Sequence, residues 1–197
     1  MGHTKKHSFT GASDHDFTGL VSGELILFNG ISLVSTGLTG SGTSGDILSS
    51  STGTNSIIAN NGTGNLASGN YSFVGGYKNT SNANFSFIGG GYENYTTTRY
   101  SSIVGGKKNM TYGVYSFIAG GSLNSASTST GHALIIGGSY NLASGYHSFV
   151  GGGYKNSATT SHAAVVSGYK NLVFGSNSFI GGGGMNSVRS DYSVIAG

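Results

Sequence analysis

From residue 56 to the end of the chain, apolar residues recur as adjacent pairs rather than with the alternation of a half-buried strand or the period of an amphipathic helix. The pairs are Ile57/Ile58, Phe73/Val74, Phe87/Ile88, Ile103/Val104, Phe117/Ile118, Ile135/Ile136, Phe149/Val150, Val165/Val166, Phe179/Ile180 and Val194/Ile195. Glycines follow most pairs, and an asparagine follows the glycines: Asn65, Asn79, Asn94, Asn109, Asn124, Asn141, Asn156, Asn171 and Asn186. Successive asparagines are 14 residues apart, then 15 three times, then 17, then 15 three times again. Two residues beyond each stands a small or β-branched residue, in order Ala67, Ser81, Thr96, Thr111, Ala126, Ala143, Ala158, Val173 and Val188.

A coil of about 15 residues, with short apolar strands and glycine corners, leaves no room for a helix. The pattern therefore predicts an all-β fold: a parallel β-solenoid of about nine stacked coils over residues 56–197, the last incomplete. Residues 1–55 are expected to form a separate connector or attachment region. Glycine and asparagine are both expected at corners that need a positive φ. An in-phase asparagine column also suits a side-chain hydrogen-bond ladder. The alternation of two and three glycines suggests that two coils form one 30-residue unit. The two extra residues before Asn141, around Thr130 and Gly131, read as one enlarged corner.

Successive side chains in a strand face opposite ways, so both members of a pair cannot point into the same thin core. One column is expected to fill the core and the other to form an outer apolar stripe. Ile88 and Val104 are expected in one column, and their partners Phe87 and Ile103 in the other. A stripe of ten coils at about 4.8 Å each is about 45 Å long, more than a monomer normally exposes. Association with identical chains follows as an expectation.

Composition sharpens this. The 197 residues include 37 glycines and no proline, cysteine or tryptophan, and only 8% are charged. The absence of cysteine excludes disulfides, thiolate metal sites and a cysteine nucleophile. Nine Lys and Arg against six acids give a net charge of +3, too sparse for a nucleic-acid surface. No apolar run is long enough to insert as a membrane helix, and residues 1–10 lack the apolar core of a signal peptide.

The string SFIGGGYENYTTTRYSSIVGGKKNMTYGVYSFIAGG closely resembles the head repeats of trimeric autotransporter adhesins, and GGSYNLASGYHSFV (137–150) resembles the GGGxxNxAxGxxSxV arrays of phage and viral fibres. The resemblance covers roughly residues 56–197. It implies a left-handed parallel β-roll with three chains around an axis, acting as a shaft or head that meets receptors. Residues 7–19, HSFTGASDHDFTG, with their internal echo, resemble connector segments of phage tail fibres. The reading that results is a structural and adhesive fibre in a virion or at a cell surface, a homotrimer with a host-surface glycan or other receptor as partner. The alternative is a bacterial trimeric adhesin or a self-assembling extracellular filament. The final coil breaks off at Val194-Ile195-Ala196-Gly197, so a cap or a self-cleaving trimerisation chaperone, as similar fibres carry, is expected to follow.

Candidate chemistry is thin. A glycan depolymerase would need two carboxylates a few ångströms apart. The acids are Asp14, Asp16, Glu24, Asp46, Glu93 and Asp191, and only the last two lie in the repeats, more than six coils apart. No catalytic, cofactor or metal residue is therefore assigned. His132, His147 and His162 share a column with Tyr71, Phe85, Tyr100, Tyr115 and Tyr192, which reads as a slot for rings before it reads as a pH-sensing or metal ladder. His3, His7 and His15 form a weak terminal cluster. Lys78, Lys108, Lys155 and Lys170 precede the asparagine, often beside Tyr77, Tyr154 or Tyr169, in a pattern that suits a carbohydrate or anionic surface or simply a solvated corner. Thr96, Thr97 and Thr98 do not continue as an ice-binding threonine array. Glycosylation sequons occur at Asn61, Asn79, Asn84, Asn94 and Asn109.

Overall fold

A computed structural model describes residues 25–28, 31–34, 48–50, 52–59, 64–128 and 131–197. The chain forms two compact units, Met1–Leu38 and Thr39–Gly197. In the first, β1 (Leu25–Phe28) and β2 (Ile31–Val34) pair antiparallel, with Leu25 opposite Val34 and Phe28 opposite Ile31.

The second unit is a parallel β-solenoid of about nine coils. Its first sheet has eleven strands. β3 (Leu48–Ser50) lies antiparallel to β4 (Ile57–Ala59) at the N-terminal edge, and every later pairing in the sheet is parallel. From β4 onward, consecutive coils contribute two-residue strands, among them Phe73–Val74, Phe87–Ile88, Ser102–Ile103 and Phe117–Ile118. The second sheet has nine strands, from Leu66–Ala67 to Ser187–Val188. A third column of single parallel bridges runs through Tyr77, Tyr92, Lys107, Ser122, Ser139, Tyr154, Tyr169 and Gly184.

Two columns supply most of the apolar core, beside a third buried column of serine and alanine that includes Ser86, Ser101, Ser116, Ala133, Ser148 and Ala163. Ile58, Val74, Ile88, Ile103, Ile118, Ile135, Val150, Val165 and Ile180 point inward from the first sheet and are buried. Ala67, Ser81, Thr96, Thr111, Ala126, Ala143, Ala158, Val173 and Val188 face them from the second. Large side chains opposite small ones let the sheets approach closely while still filling the interior.

This register corrects the expected pairing of columns. Ile103 aligns with Ile88 and Ser102 with Phe87, so Val104, Ile136 and Val166 do not share the column of Ile88. They are 48%, 47% and 42% exposed. Between Phe87 and Phe179 the apolar pair slides by one residue in alternate coils, whereas Ile57, Phe73 and Phe87 keep one register through three successive coils. Where the outer strand position is Phe73, Phe87, Phe149 or Phe179, the residue two further on is Gly75, Gly89, Gly151 or Gly181, and the ring edge lies over it. Where the position holds Ser102, Leu134 or Ala164, the residue two further on is Val104, Ile136 or Val166. Each coil thus places at least one large apolar group on the outer face, and the coil of Leu134 and Ile136 places two. This is the physical origin of the alternating glycine clusters.

Corners depend on left-handed backbone, three times per coil. In residues 94–108 the left-handed residues are Tyr100 (φ 60°), Gly106 (φ 92°) and Lys108 (φ 54°). The asparagines themselves are not left-handed, a second correction to the sequence reading: their side chains are needed elsewhere. Asn109 Nδ2 donates to the carbonyl oxygens of Gly105 (3.1 Å) and Gly121 (3.0 Å), while Oδ1 accepts from the backbone N–H of Asn124 (3.0 Å). The side chain therefore closes its own coil and ties it to the next. The N–H-to-Oδ1 links run unbroken from Asn65 to Asn186. The ladder is one of side chain to backbone rather than side chain to side chain.

In the two-glycine cluster of this coil only the second glycine is sterically compelled, whereas in clusters that begin two residues after a phenylalanine the first is compelled too: a Cβ on Gly89 would lie 2.7 Å from the carbonyl oxygen of Val104, and one on Gly151 would overlap that of Val166. A Cβ on Gly106 would lie 2.6 Å from Asn109 Nδ2 and overlap the Gly121 carbonyl, at a φ that L-residues rarely adopt. A Cβ on Gly105 meets nothing, and Ser167 occupies the equivalent place in a later coil. The same open place absorbs the one-residue deletion of the 14-residue coil, between Gly75 and Gly76. The two-residue insertion falls between Thr128 and Gly131, and Ser129 and Thr130 lie outside the described residues.

Two consequences are measurable. Gly106→Ala is expected to cost more than about 2 kcal/mol in denaturant unfolding, and Gly105→Ala to stay within about 0.5 kcal/mol of wild type. Asn109→Ala strands two carbonyls and one N–H, and is expected to cost about 3 kcal/mol or more, with a matching fall in Tm by circular dichroism.

Candidate interaction surfaces

Three columns of side chains leave the coil outward, and each is positioned by one backbone feature. The outward positions of the first sheet carry Ile57, Phe73, Phe87, Ser102, Phe117, Leu134, Phe149, Ala164, Phe179 and Val194, with the intercalated Val104, Ile136 and Val166. None of them is charged, and Ser102 supplies the one hydroxyl. Phe73 and Phe87 stack at 5.3 Å between ring centroids. The outer face of the second sheet is different in kind: Thr80, Asn82, Thr97, Ser125, Ser144 and Thr159 interrupt its apolar residues.

The second column starts from the left-handed corner of Tyr100. Tyr71, Phe85, Tyr100, Tyr115, His132, His147 and His162 follow one another up the solenoid with centroid separations of 4.9 to 5.4 Å. Six of the seven have φ between 54° and 60°, His132 being the exception. Asn177 takes the same corner in the following coil, and Tyr192 the one after. From Tyr71 to His132 the rings stack face to face, whereas His132 and His147 are tilted by 49° and His147 and His162 meet edge to face at 82°. The histidines thus stand in a stack of rings, and among the described residues no three His, Asp or Glu side chains converge as a metal-binding group. His3, His7 and His15, like Asp14, Asp16, Glu24 and Asp46, lie outside the described residues.

The third column is the corner just before each asparagine, where the single-bridge residue is followed by a left-handed one. Lys78, Glu93, Lys108, Leu123, Tyr140, Lys155, Lys170 and Met185 occupy the left-handed place, with φ between 52° and 59°. Lysine ammonium groups sit over tyrosine rings: Lys78 over Tyr77 at 5.3 Å, Lys155 over Tyr154 at 5.2 Å and Lys170 over Tyr169 at 5.0 Å. Lys107, bridged to Tyr92 on one side and Ser122 on the other, lies 5.6 Å from the centroid of Tyr92. Sequence reading singled out the lysines before the asparagine but not Lys107 or Tyr140; the bridge register joins Lys107 to the same edge, and the left-handed place before Asn141 joins Tyr140.

The two acids of the repeats are separately engaged. Glu93 lies 3.3 Å from Lys108, and Asp191 Oδ1 accepts the backbone N–H of Ser176 at 2.7 Å. The hydrogen bond from the Tyr92 hydroxyl chiefly holds the Glu93 carboxyl below its ordinary pKa, against desolvation, with Lys108 and then Lys78 acting more weakly in the same lowering direction. The same hydrogen bond raises the Tyr92 phenol above its ordinary pKa. Of the sequons, Asn79, Asn94 and Asn109 are buried in the ladder, whereas Asn84, and Asn70 of the further sequon Asn70-Tyr71-Ser72, are exposed.

Comparison with protein-family models finds no match to this chain, and no curated protein matches it significantly. The fold and its surfaces define a class all the same: a repetitive β-solenoid that presents an uncharged apolar face, a ring column and a tyrosine–lysine edge.

The lowered pKa of Glu93 means that its contribution to stability is present above the ordinary carboxylate pKa and is lost as pH falls through the folded-state value. The Tm difference between wild type and Glu93→Gln is therefore expected to be small but positive at pH 7 and to vanish under acid conditions, as read by calorimetry across pH; a difference independent of pH would contradict the assignment.

Proposed function

We propose that this chain is a structural and adhesive fibre segment, a phage or virus tail-fibre shaft or head that assembles as a homotrimer and takes part in attachment to the host surface. The observation that carries this reading is the outer face of the first sheet. Ten coils of uncharged side chains, about 45 Å long at the strand spacing, leave Phe87, Val104 and Ile136 between 41% and 48% exposed. A core whose apolar side chains stand mostly in two columns gives each coil little apolar burial of its own, so lateral burial of this face is the economical way to complete the hydrophobic interior. The likeness of residues 86–121 and 137–150 to fibre and adhesin-head repeats supports three as the number of chains and attachment as the role. The ladder fits a load-bearing rod, because every coil is fastened to the next by backbone and side-chain hydrogen bonds.

Light scattering after size-exclusion chromatography tests the assembly. The expected mass is three times the 19.9 kDa of one chain; a well-folded 20 kDa monomer overturns the proposal. Val104→Asp with Ile136→Asp is expected to dissociate the oligomer while circular dichroism still shows β structure. Ile103→Asp, which places a charge in the core, is expected to unfold the coil.

A further inference from the structure

Five of the seven cations in the described solenoid, Lys78, Lys107, Lys108, Lys155 and Lys170, lie on one edge, where Glu93 is the sole acid; Arg99 and Arg189 stand elsewhere. Chance placement on a solvated surface does not require this, and the backbone argues against it. Four of these lysines hold a φ of 52° to 55°, a conformation that glycine or asparagine adopts at less cost. The chain does use asparagine at Asn55 and Asn177, at the other non-glycine left-handed corner. Lysine recurs before the ladder despite this penalty, and it recurs with tyrosine.

The edge has two clusters. Toward the N-terminus, Glu93 pairs with Lys108 at 3.3 Å and is close enough to Lys78 to feel its charge, so it partly neutralises that cluster. Toward the C-terminus, Tyr140, Tyr154, Lys155, Tyr169 and Lys170 carry no acid among them. Tyr154 and Tyr169 stack at 5.7 Å, Lys155 lies 5.6 Å from the Tyr140 ring and 5.2 Å from the Tyr154 ring, and Lys170 lies 5.0 Å from that of Tyr169. Tyr140, Tyr154 and Tyr169 are 49%, 37% and 42% exposed. The coils of Tyr154–Lys155 and Tyr169–Lys170 thus each offer one ammonium group and one phenolic hydroxyl at the strand spacing of about 4.8 Å, with the Tyr140 hydroxyl one coil before them, near the interval at which an extended hexose chain repeats.

We propose that this edge, centred on Lys155 and Lys170 with Tyr154 and Tyr169, binds a linear acidic polysaccharide lying along the solenoid. The ammonium groups meet its carboxylate or sulfate groups, and the tyrosine hydroxyls meet its hydroxyls. The chemistry favours a polysaccharide over a nucleic acid. Nucleic-acid surfaces present free aromatic faces for base stacking and arginine for bidentate phosphate contact. Here the ring faces are covered by lysines and by each other, and the edge contains no arginine. The inference names a ligand class for the attachment reading, but it stands on the corner geometry and does not require the assembly state.

Surface plasmon resonance of the full chain over immobilised polygalacturonate, dextran sulfate and neutral dextran tests it. Wild type is expected to bind one or both acidic polymers, more weakly as salt rises, and not neutral dextran; the two acidic arms separate carboxylate from sulfate recognition. Lys155→Gln with Lys170→Gln is expected to weaken binding at least tenfold, and Tyr154→Ala with Tyr169→Ala several-fold. The charge-matched control Arg99→Gln with Arg189→Gln is expected to stay within twofold. Equal losses in the lysine and arginine variants, no loss in the lysine variant, or binding abolished by a single-stranded oligonucleotide at concentrations where free polygalacturonate and dextran sulfate do not compete would each overturn the proposal. Light scattering on the same samples separates the two readings. A trimer that ignores acidic polysaccharide removes the ligand and leaves the fibre, whereas a monomer that binds it does the reverse.

Discussion

The closing of one coil onto the next by an asparagine side chain is the constraint on which the rest of the solenoid depends. A 15-residue coil must turn back on itself within a few residues, and at such a turn the backbone carbonyls diverge from any regular ladder. Asn109 meets two of them with one amide nitrogen and caps the next coil's N–H with its oxygen. Buried backbone groups left without partners would cost more than a core this narrow can offset. The requirement propagates outward. The amide needs room, so the residue three before it is a left-handed glycine; the chain must then re-enter the coil, so the residue just before the asparagine is left-handed too.

From that geometry the surfaces follow. Because each strand is two residues long, each coil has one inward side chain per strand, and neighbouring positions face out. The first sheet fills its outward places with phenylalanine over glycine, or with a small or aliphatic residue followed by valine or isoleucine. The apolar volume per coil is thereby roughly kept while its position shifts from side to side. A pair of coils is the repeat of that outer face, whereas a single coil is the repeat of the core and of the ladder. The left-handed corners place rings and lysines in register because identical backbone recurs at every level, and stacked rings at about 5 Å are a consequence of the strand spacing.

The repeat, the class of fold and the asparagine column were legible in the residues, since each depends on a period that the chain displays directly; the second core column, from Ala67 to Val188, was not. Legibility failed at the scale of one residue. In the coil holding Ser102, Ile103 and Val104, the doubled apolar residues look like those of Phe87 and Ile88, yet Ile103 matches Ile88. Apolar character alone cannot tell which member of a pair points inward; the parallel register decides it, through the hydrogen bonds that fix Ser102 opposite Phe87. The asparagine was likewise misplaced at the left-handed corner, because its tolerance of positive φ and its value as a hydrogen-bonding side chain give the same sequence signal.

The sequence by itself determined that this is a coil of about 15 residues stacked in parallel, because glycine, asparagine and paired apolar residues recur in phase and no helix can be accommodated. It also determined that more apolar surface exists than one thin core can enclose. Tertiary structure alone decided which side chains that surface consists of, which glycine at the ladder corner is indispensable, and that Lys107 and Tyr140 join the lysine edge. Those outcomes turn on the facing of single residues, and facing is set by hydrogen-bond register between coils rather than by the local pattern within one.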